Sequence, residues 1–273
     1  MNKTIMITGA SSGIGKATAE YFSAKGWNVA ATMRNPGKSI GFEQMKNTRL
    51  YRLDVSDSIL INETIAEVIK DFGSIDVVFN NAGYALTGIF EAMTEEQIKK
   101  QFDTNVFGLM NVTRAILPYF RERGGGTVIN TTSVGGIVTF PVYSVYHSTK
   151  WAVEGFMESL QYEVRQFNIR IKNVEPGPIK TDFYNRSMES VSSPAYDKYL
   201  RKVQANMKPF SDNAPGPEVV AKKVFKAAND SSYKLRYSVG GNAPLFVMLR
   251  KLLPFTLFRG FVRMAAERGF KNG

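Results

Sequence analysis

Over the first 180 residues, short apolar runs alternate with longer stretches of helical period. Ile5–Thr8, Asn28–Met33, Leu50–Asp54, Asp76–Asn80, Thr127–Thr132 and Arg170–Val174 read as strands. Lys16–Lys25, Ile59–Phe72, Glu95–Phe120 and Tyr146–Phe167 read as the helices between them. Gly26, the run Gly124-Gly125-Gly126 and the pair Pro176-Gly177 mark breaks. Strands that alternate with helices predict βαβ units, and apolar strands predict a parallel sheet covered on both faces. Right-handed crossovers then wind the sheet in both directions. The expected fold class is α/β, a Rossmann-type doubly wound parallel sheet in one domain. A helical C-terminal extension should follow, dividing the chain into residues 1–243 and 244–273.

Composition removes several other classes. The 273 residues contain no cysteine and a single histidine, His147. Disulfide scaffolds, thiolate chemistry and the usual zinc sites are thereby excluded, and no metal site is expected. A Ser-His-Asp triad would have to rest on that one histidine, which reads as structural. The N-terminus shows no targeting signal and no apolar run is long enough to span a bilayer, so a cytoplasmic protein is expected. Net charge is +11, and residues 200–273 hold 14 Lys and Arg against four Asp and Glu. That asymmetry suggests either a solvated basic surface or an anionic partner. Nucleic acid is not expected, because no nucleic-acid motif is present and large apolar residues separate the C-terminal charges.

The turn after the first strand is built for an anion. Thr8, Gly9, Ala10, Ser11, Ser12, Gly13, Ile14 and Gly15 place three glycines at G-x-x-x-G-x-G spacing just before a helix. Glycine lets the backbone approach a pyrophosphate, and the helix start offers unpaired N–H groups and a positive dipole end. No Gly-Lys-Ser/Thr follows, which excludes a Walker-type loop.

Four further elements follow in order. They are Asn80-Asn81-Ala82-Gly83, Ser133, Tyr146-x-x-x-Lys150, and Pro176-Gly177 with Thr181. Together with the glycine turn, they closely resemble the short-chain dehydrogenase/reductase family over about residues 1–182. Gly83–Leu86 and Thr32–Pro36 resemble, more loosely, its 17β-hydroxysteroid-dehydrogenase-like subgroup. The resemblance implies hydride transfer with a nicotinamide dinucleotide. It implies cofactor contacts at Thr8, Gly9, Ser11, Ser12, Gly13, Ile14, Gly15, Asp54, Val55, Asn81, Ala82, Gly83, Tyr146, Lys150, Pro176, Gly177, Ile179 and Thr181. It further implies that Lys150 binds the nicotinamide ribose, that Ser133 binds the substrate oxygen, and that Asn105 holds a relay water.

The residues themselves explain the central pair. An alkoxide formed by hydride addition needs a proton, and a phenol with a pKa near 10 releases one reluctantly at neutral pH. Lys150 lies one helical turn after Tyr146, where its ammonium favours the phenolate. At the end of the second strand no acid is present to accept from a ribose, and Arg34 stands where a 2′-phosphate could be paired. NADP(H) is therefore expected in preference to NAD(H). Asp54 could instead cap the next helix.

The approach to Tyr146, Gly135–Tyr143, is mostly apolar, and Tyr84 and Leu86 follow the Asn-Asn-Ala-Gly turn. A hydrophobic carbonyl compound or its alcohol is the expected substrate. The alternative is a dinucleotide-binding regulatory or scaffold protein with little turnover. Nucleotide-sugar chemistry fits the apolar approach less well. Trp151 and Phe156 read as core or interface residues, and a homo-oligomer is expected. Pro244–Leu253 and Pro254–Arg268 read as two helices. On the second, Phe255, Phe258, Val262 and Ala265 form an apolar face widened by Leu257 and Phe261, while Arg259, Arg263 and Glu267 form a polar stripe. Such a segment covers a pocket or packs in an oligomer, or lies at a membrane surface. Packing is the preferred reading.

Overall fold

The computed structural model describes residues 2–38, 41–181 and 187–270. Its strands, in chain order, are β1 (Thr4–Thr8), β2 (Asn28–Met33), β3 (Thr48–Arg52), β4 (Val77–Asn80), β5 (Ala85–Gly88), β6 (Gly126–Thr131), β7 (Ile169–Pro176), β8 (Met188–Val191) and β9 (Arg236–Val239). Seven of them form a parallel sheet in the order β3-β2-β1-β4-β6-β7-β9. The helices are α1 (Gly13–Ala24), α2 (Ser58–Phe72), α3 (Glu95–Phe102), α4 (Leu109–Glu122), α5 (Ser144–Val164), α6 (Asp197–Asp212), α7 (Glu218–Asn229), α8 (Ala243–Leu252) and α9 (Phe255–Ala266). This is the expected doubly wound α/β domain.

Period-two alternation within the strands divides the core between two layers. Ile5 and Ile7 of β1 face one layer, with Val29, Phe79 and Ile129, where Phe22 of α1 and Val220 and Val224 of α7 cover them. Met6 faces the other, with Val78, Val128 and Ile171, under Ile65 of α2, Val112 and Ile116 of α4, and Val153 and Met157 of α5. Complete burial of side chains this size is worth roughly 1.5–3 kcal/mol each.

Several boundaries differ from the sequence expectation. α1 begins at Gly13 rather than Lys16, because the glycine turn itself forms its first turn. The long helix expected over Glu95–Phe120 is interrupted by a π-helical turn, Asp103–Gly108, between α3 and α4. Thr94 and Gln97 cap α3 reciprocally. The segment expected as a simple turn at Gly83–Leu86 enters β5, which pairs in parallel with β8. Trp151 is exposed and so is not a core residue, whereas Phe156 packs against the α2–α4–α5 layer.

A polar row crosses the buried sheet. Register aligns Asn80, Asn130, Asn173 and Arg236 on neighbouring strands. Asn80 donates to Asn130 (3.0 Å), Asn130 to Asn173 (3.0 Å), and Asn173 to Glu154 of α5 (2.9 Å). Arg236 then pairs with Glu154 and Glu158. Apart from the Asn80 oxygen, the buried amides are paired along this row, and the bond to Glu154 ties α5 to the sheet.

Candidate active site

The site lies at the carboxyl ends of the strands, where the chain leaves β1 and β4 in opposite directions, the usual crevice of an open α/β sheet. Gly9 adopts φ +66°, and a Cβ there would stand 2.8 Å from the Ala82 Cα. A Cβ on Gly15 would overlap the Gly9 carbonyl oxygen. Both positions therefore require glycine. Thr8 Oγ1 accepts from the N–H groups of Asn81 (2.9 Å) and Ala82 (3.0 Å). Asn81 donates in return to the Thr8 and Gly9 carbonyls and accepts from Thr131. Asn81 thus ties together the ends of three strands. No acidic residue occupies the first turn of α1, and its first N–H groups have no acceptor within the helix. This cradle fits a dinucleotide pyrophosphate.

Tyr146 and Lys150 share one face of α5. The Lys150 ammonium lies 5.7 Å from the Tyr146 ring centre and donates to the Thr131 carbonyl at 2.8 Å. Burial lowers the Lys150 pKa to about 8, against the opposing charge of Glu154 one turn on. The ammonium still dominates at pH 7. Ser133 caps the short turn Val134–Gly136, accepting from the Gly135 N–H at 3.0 Å. Val142, held at φ +64°, gives its carbonyl to the Gly88 N–H at 2.7 Å. A β-branched residue in that conformation is strained, so its surroundings hold this wall of the site in place.

Ser133, Tyr146 and Lys150 line one cavity of about 1400 Å³. It also takes in Gly9, Ser11, Ser12, Gly13, Ile14, Arg34, Asp54, Val55, Asn81, Ala82, Gly83, Pro176, Gly177, Ile179 and Thr181. Three expected residues stand behind its wall: Thr8, Gly15 and Asn105. Asn105 sits in the π turn, a feature frequent at functional sites. Its carboxamide accepts from Tyr84 N–H (3.0 Å) and donates to the Tyr84 carbonyl (2.8 Å) and to Thr149 Oγ1 (3.3 Å). Asp54 does not cap α2, since Asp57 accepts from the Ile59 and Leu60 N–H groups instead. Burial would raise the Asp54 carboxyl, but hydrogen bonds from Ser56 and the charges of Arg34 and Arg52 hold it below its ordinary value.

At the other end apolar side chains predominate, with Gln204, Lys208 and Glu189 among them. Tyr84, Phe140, Val142 and Tyr143 are joined by Leu200, Val203, Met207 and Phe210 of α6, and by Phe246 of α8. Leu86 does not line it, because it is buried with Met93 and Val145. The α6 contribution had a readable signal: its four apolar residues recur at three- and four-residue steps. Gln101 had none. It is fully buried and ties Tyr84 and Leu86 to α3 through both ends of its carboxamide.

His147 is buried behind Tyr146. Its Nδ1 accepts from the Phe140 N–H at 3.3 Å, and its ring stacks on Tyr143. Burial lowers its pKa from 6.5 to about 4. The unfolded chain therefore binds this proton first, and the stability due to neutral His147 is complete above pH 6.5. It drains away as pH falls towards 4, by about 3 kcal/mol in all. In chemical denaturation the stability of the wild type relative to His147→Asn should fall by that amount between pH 7 and 4, while Glu175, raised to about 7 by burial, shifts both proteins alike. Equal pH dependence in both proteins contradicts the assignment.

Residues 3–191 match the family model described as short chain dehydrogenase. A short-chain dehydrogenase structure from Streptomyces avermitilis superposes with a TM-score of 0.81, at 32% identity over 100% of both chains. ElxO, in a structure with NADP bound, superposes with a TM-score of 0.76 at 28% identity, over 90% of this chain and 100% of its own. The 3-ketodihydrosphingosine reductase of Bacteroides thetaiotaomicron is 38% identical over 73% of this chain and 74% of its own.

Proposed function

The chain belongs to the short-chain dehydrogenase/reductase family, and from that premise we propose that it is an NADP(H)-dependent oxidoreductase. It interconverts a hydrophobic carbonyl compound and its alcohol. The observation that carries this reading is that one cavity holds a glycine cradle at one end, Ser133, Tyr146 and Lys150 between, and a largely apolar wall at the other. Bound NADP(H) supplies the hydride. The cradle from Gly9 to Gly15 takes the pyrophosphate, with Asp54, Val55, Asn81–Gly83 and Pro176–Thr181 along the rest of the dinucleotide.

Tyr146 gives the proton to the carbonyl oxygen as negative charge grows there. Ser133 Oγ hydrogen-bonds that oxygen and stabilises the same charge. Lys150 holds positive charge beside the phenol and binds the ribose. Asn105 is assigned the relay position, held between Tyr84 and Thr149. The relative named 3-ketodihydrosphingosine reductase agrees with a largely apolar wall. Tyr84 and the segment after β2 support the 17β-hydroxysteroid-dehydrogenase-like subgroup. In this reading residues 1–243 form the catalytic unit of a cytoplasmic enzyme, and residues 244–273 extend it. Exposed Phe107, Trp151 and Tyr162 provide the contact of a homo-oligomer.

Arg34 decides the cofactor. It is exposed just beyond β2 and lines the cavity where the second strand offers no acid. A well-formed hydrogen bond to a charged group contributes roughly 1.5–3 kcal/mol. Arg34→Ala should therefore weaken NADPH about tenfold or more in a fluorescence titration, and leave NADH nearly unchanged. Equal losses for both cofactors, or no loss for either, count against the NADP(H) reading. ElxO, which holds NADP in its own structure, supports it.

A further inference from the structure

The two C-terminal helices are apolar on opposite faces. One face is packed: Val247 of α8 and Phe258 and Val262 of α9 share a small core with Val134 and Val138. The packed stripe of α9 therefore runs through Phe258, Val262 and Ala266, while Phe255 and Leu257 stand in solvent. On the far side of α8, Leu245, Met248 and Leu252 recur at i, i+3 and i+7, and Leu252 is 71% exposed. On α9, Leu257, Phe261 and Met264 recur at i, i+4 and i+7, and Met264 is 66% exposed.

Among the described residues, eight of the fifteen exposed large hydrophobic side chains fall between residues 245 and 270. Scattered apolar side chains are ordinary on a protein surface, but such a concentration marks an interaction site. Exposed Lys251, Arg259, Arg263 and Arg268 lie in the same segment, Arg263 pairing with Glu267, within a C-terminal quarter of net charge +10. Apolar surface also continues inward, since Phe246 lines the cavity and its ring centre lies 6.0 Å from that of Phe261.

We propose that α8 and α9 seat on the surface of an anionic lipid bilayer, with the exposed stripes in the acyl boundary and the basic residues among the head groups. No described helix is long and apolar enough to cross a membrane, so the contact is peripheral. Charge selects lipid over a second copy of the chain. A two-fold contact would set this basic patch against itself, whereas an anionic bilayer takes both the apolar and the basic residues.

The test is sedimentation of the full-length protein with phosphatidylcholine vesicles, with and without phosphatidylserine. Binding is expected to the serine-containing vesicles at low salt, and to weaken tenfold or more near 1 M salt, where the Debye length is about 3 Å. The triple variant Leu252→Glu, Leu257→Glu, Met264→Glu should lose at least tenfold in binding. Its melting temperature should hold, because all three side chains already stand in water. The pair Lys251→Glu and Arg259→Glu leaves the stripes intact and should abolish the preference for anionic vesicles. Absence of binding at low salt overturns the proposal, as does unchanged binding by both variants. A wild-type dimer that the triple variant splits overturns it too, by assigning the face to a second copy.

Discussion

Tyr146→Phe should lower turnover by about 10²–10⁴-fold, the usual contribution of a positioned acid or base. NADPH affinity should change far less, since the phenol is one of many groups assigned to the dinucleotide. The phenol oxygen acts only as the carbonyl oxygen gathers charge, whereas the dinucleotide cradle lies on β1, α1 and β4. Tyr146 is half-buried on α5, and the substitution removes one oxygen without opening a cavity. Folding should therefore be preserved, and the loss should appear in kcat rather than in cofactor binding. Stopped-flow turnover together with NADPH titration separates the two. Near-normal turnover would remove Tyr146 from the chemistry.

Lys150→Met should cost as much or more, and in two ways. The variant loses the ammonium beside Tyr146 and the group assigned to the ribose, so both turnover and NADPH affinity should fall, turnover by about 100-fold or more. The pH profile gives a sharper reading. With the wild-type lysine near 8, turnover should decline above about pH 8 as the ammonium loses its proton. Lys150→Arg keeps its charge throughout that range, so whatever activity it retains should lack the decline. A limb near pH 8 that survives in the arginine variant would belong to another group.

The fold was legible because its signals were local. Six apolar runs and four helical stretches alternated, and each central strand lies within two residues of its expected place. The glycine turn was legible for a steric reason, since Gly9 and Gly15 approach backbone that no other residue could approach. What escaped was long-range or internal to a helix. The π turn at Asp103–Gly108 joins two helical stretches that read as one in the sequence, so nothing in the pattern announces that Asn105 is held against Tyr84 and Thr149. The asparagine row from Asn80 to Asn173 depends on the register of three strands separated by about 50 residues each.

β5 and β8 are four-residue strands that pair across about 100 residues, too short to show a period of their own. Leu86 follows the Asn-Asn-Ala-Gly turn, a place from which it could line the site. Gln101 instead anchors its N–H from behind, turning the side chain into the core. On the second C-terminal helix the sequence shows one wide apolar face; its division into a packed and an exposed stripe, repeated on α8, follows only from the packing.

The central claim is hydride transfer between NADP(H) and a hydrophobic carbonyl within this cavity. Its most direct test uses the purified full-length protein, NADPH deuterated at the transferring position, and a panel of hydrophobic ketones and aldehydes. Mass spectrometry then reads the alcohol products. The account predicts one deuterium on the carbinol carbon of at least one apolar product, formed by the wild type and nearly absent with Tyr146→Phe. Tight binding of NADPH with no labelled alcohol anywhere in the panel would contradict it, and would instead identify a dinucleotide-binding protein without turnover.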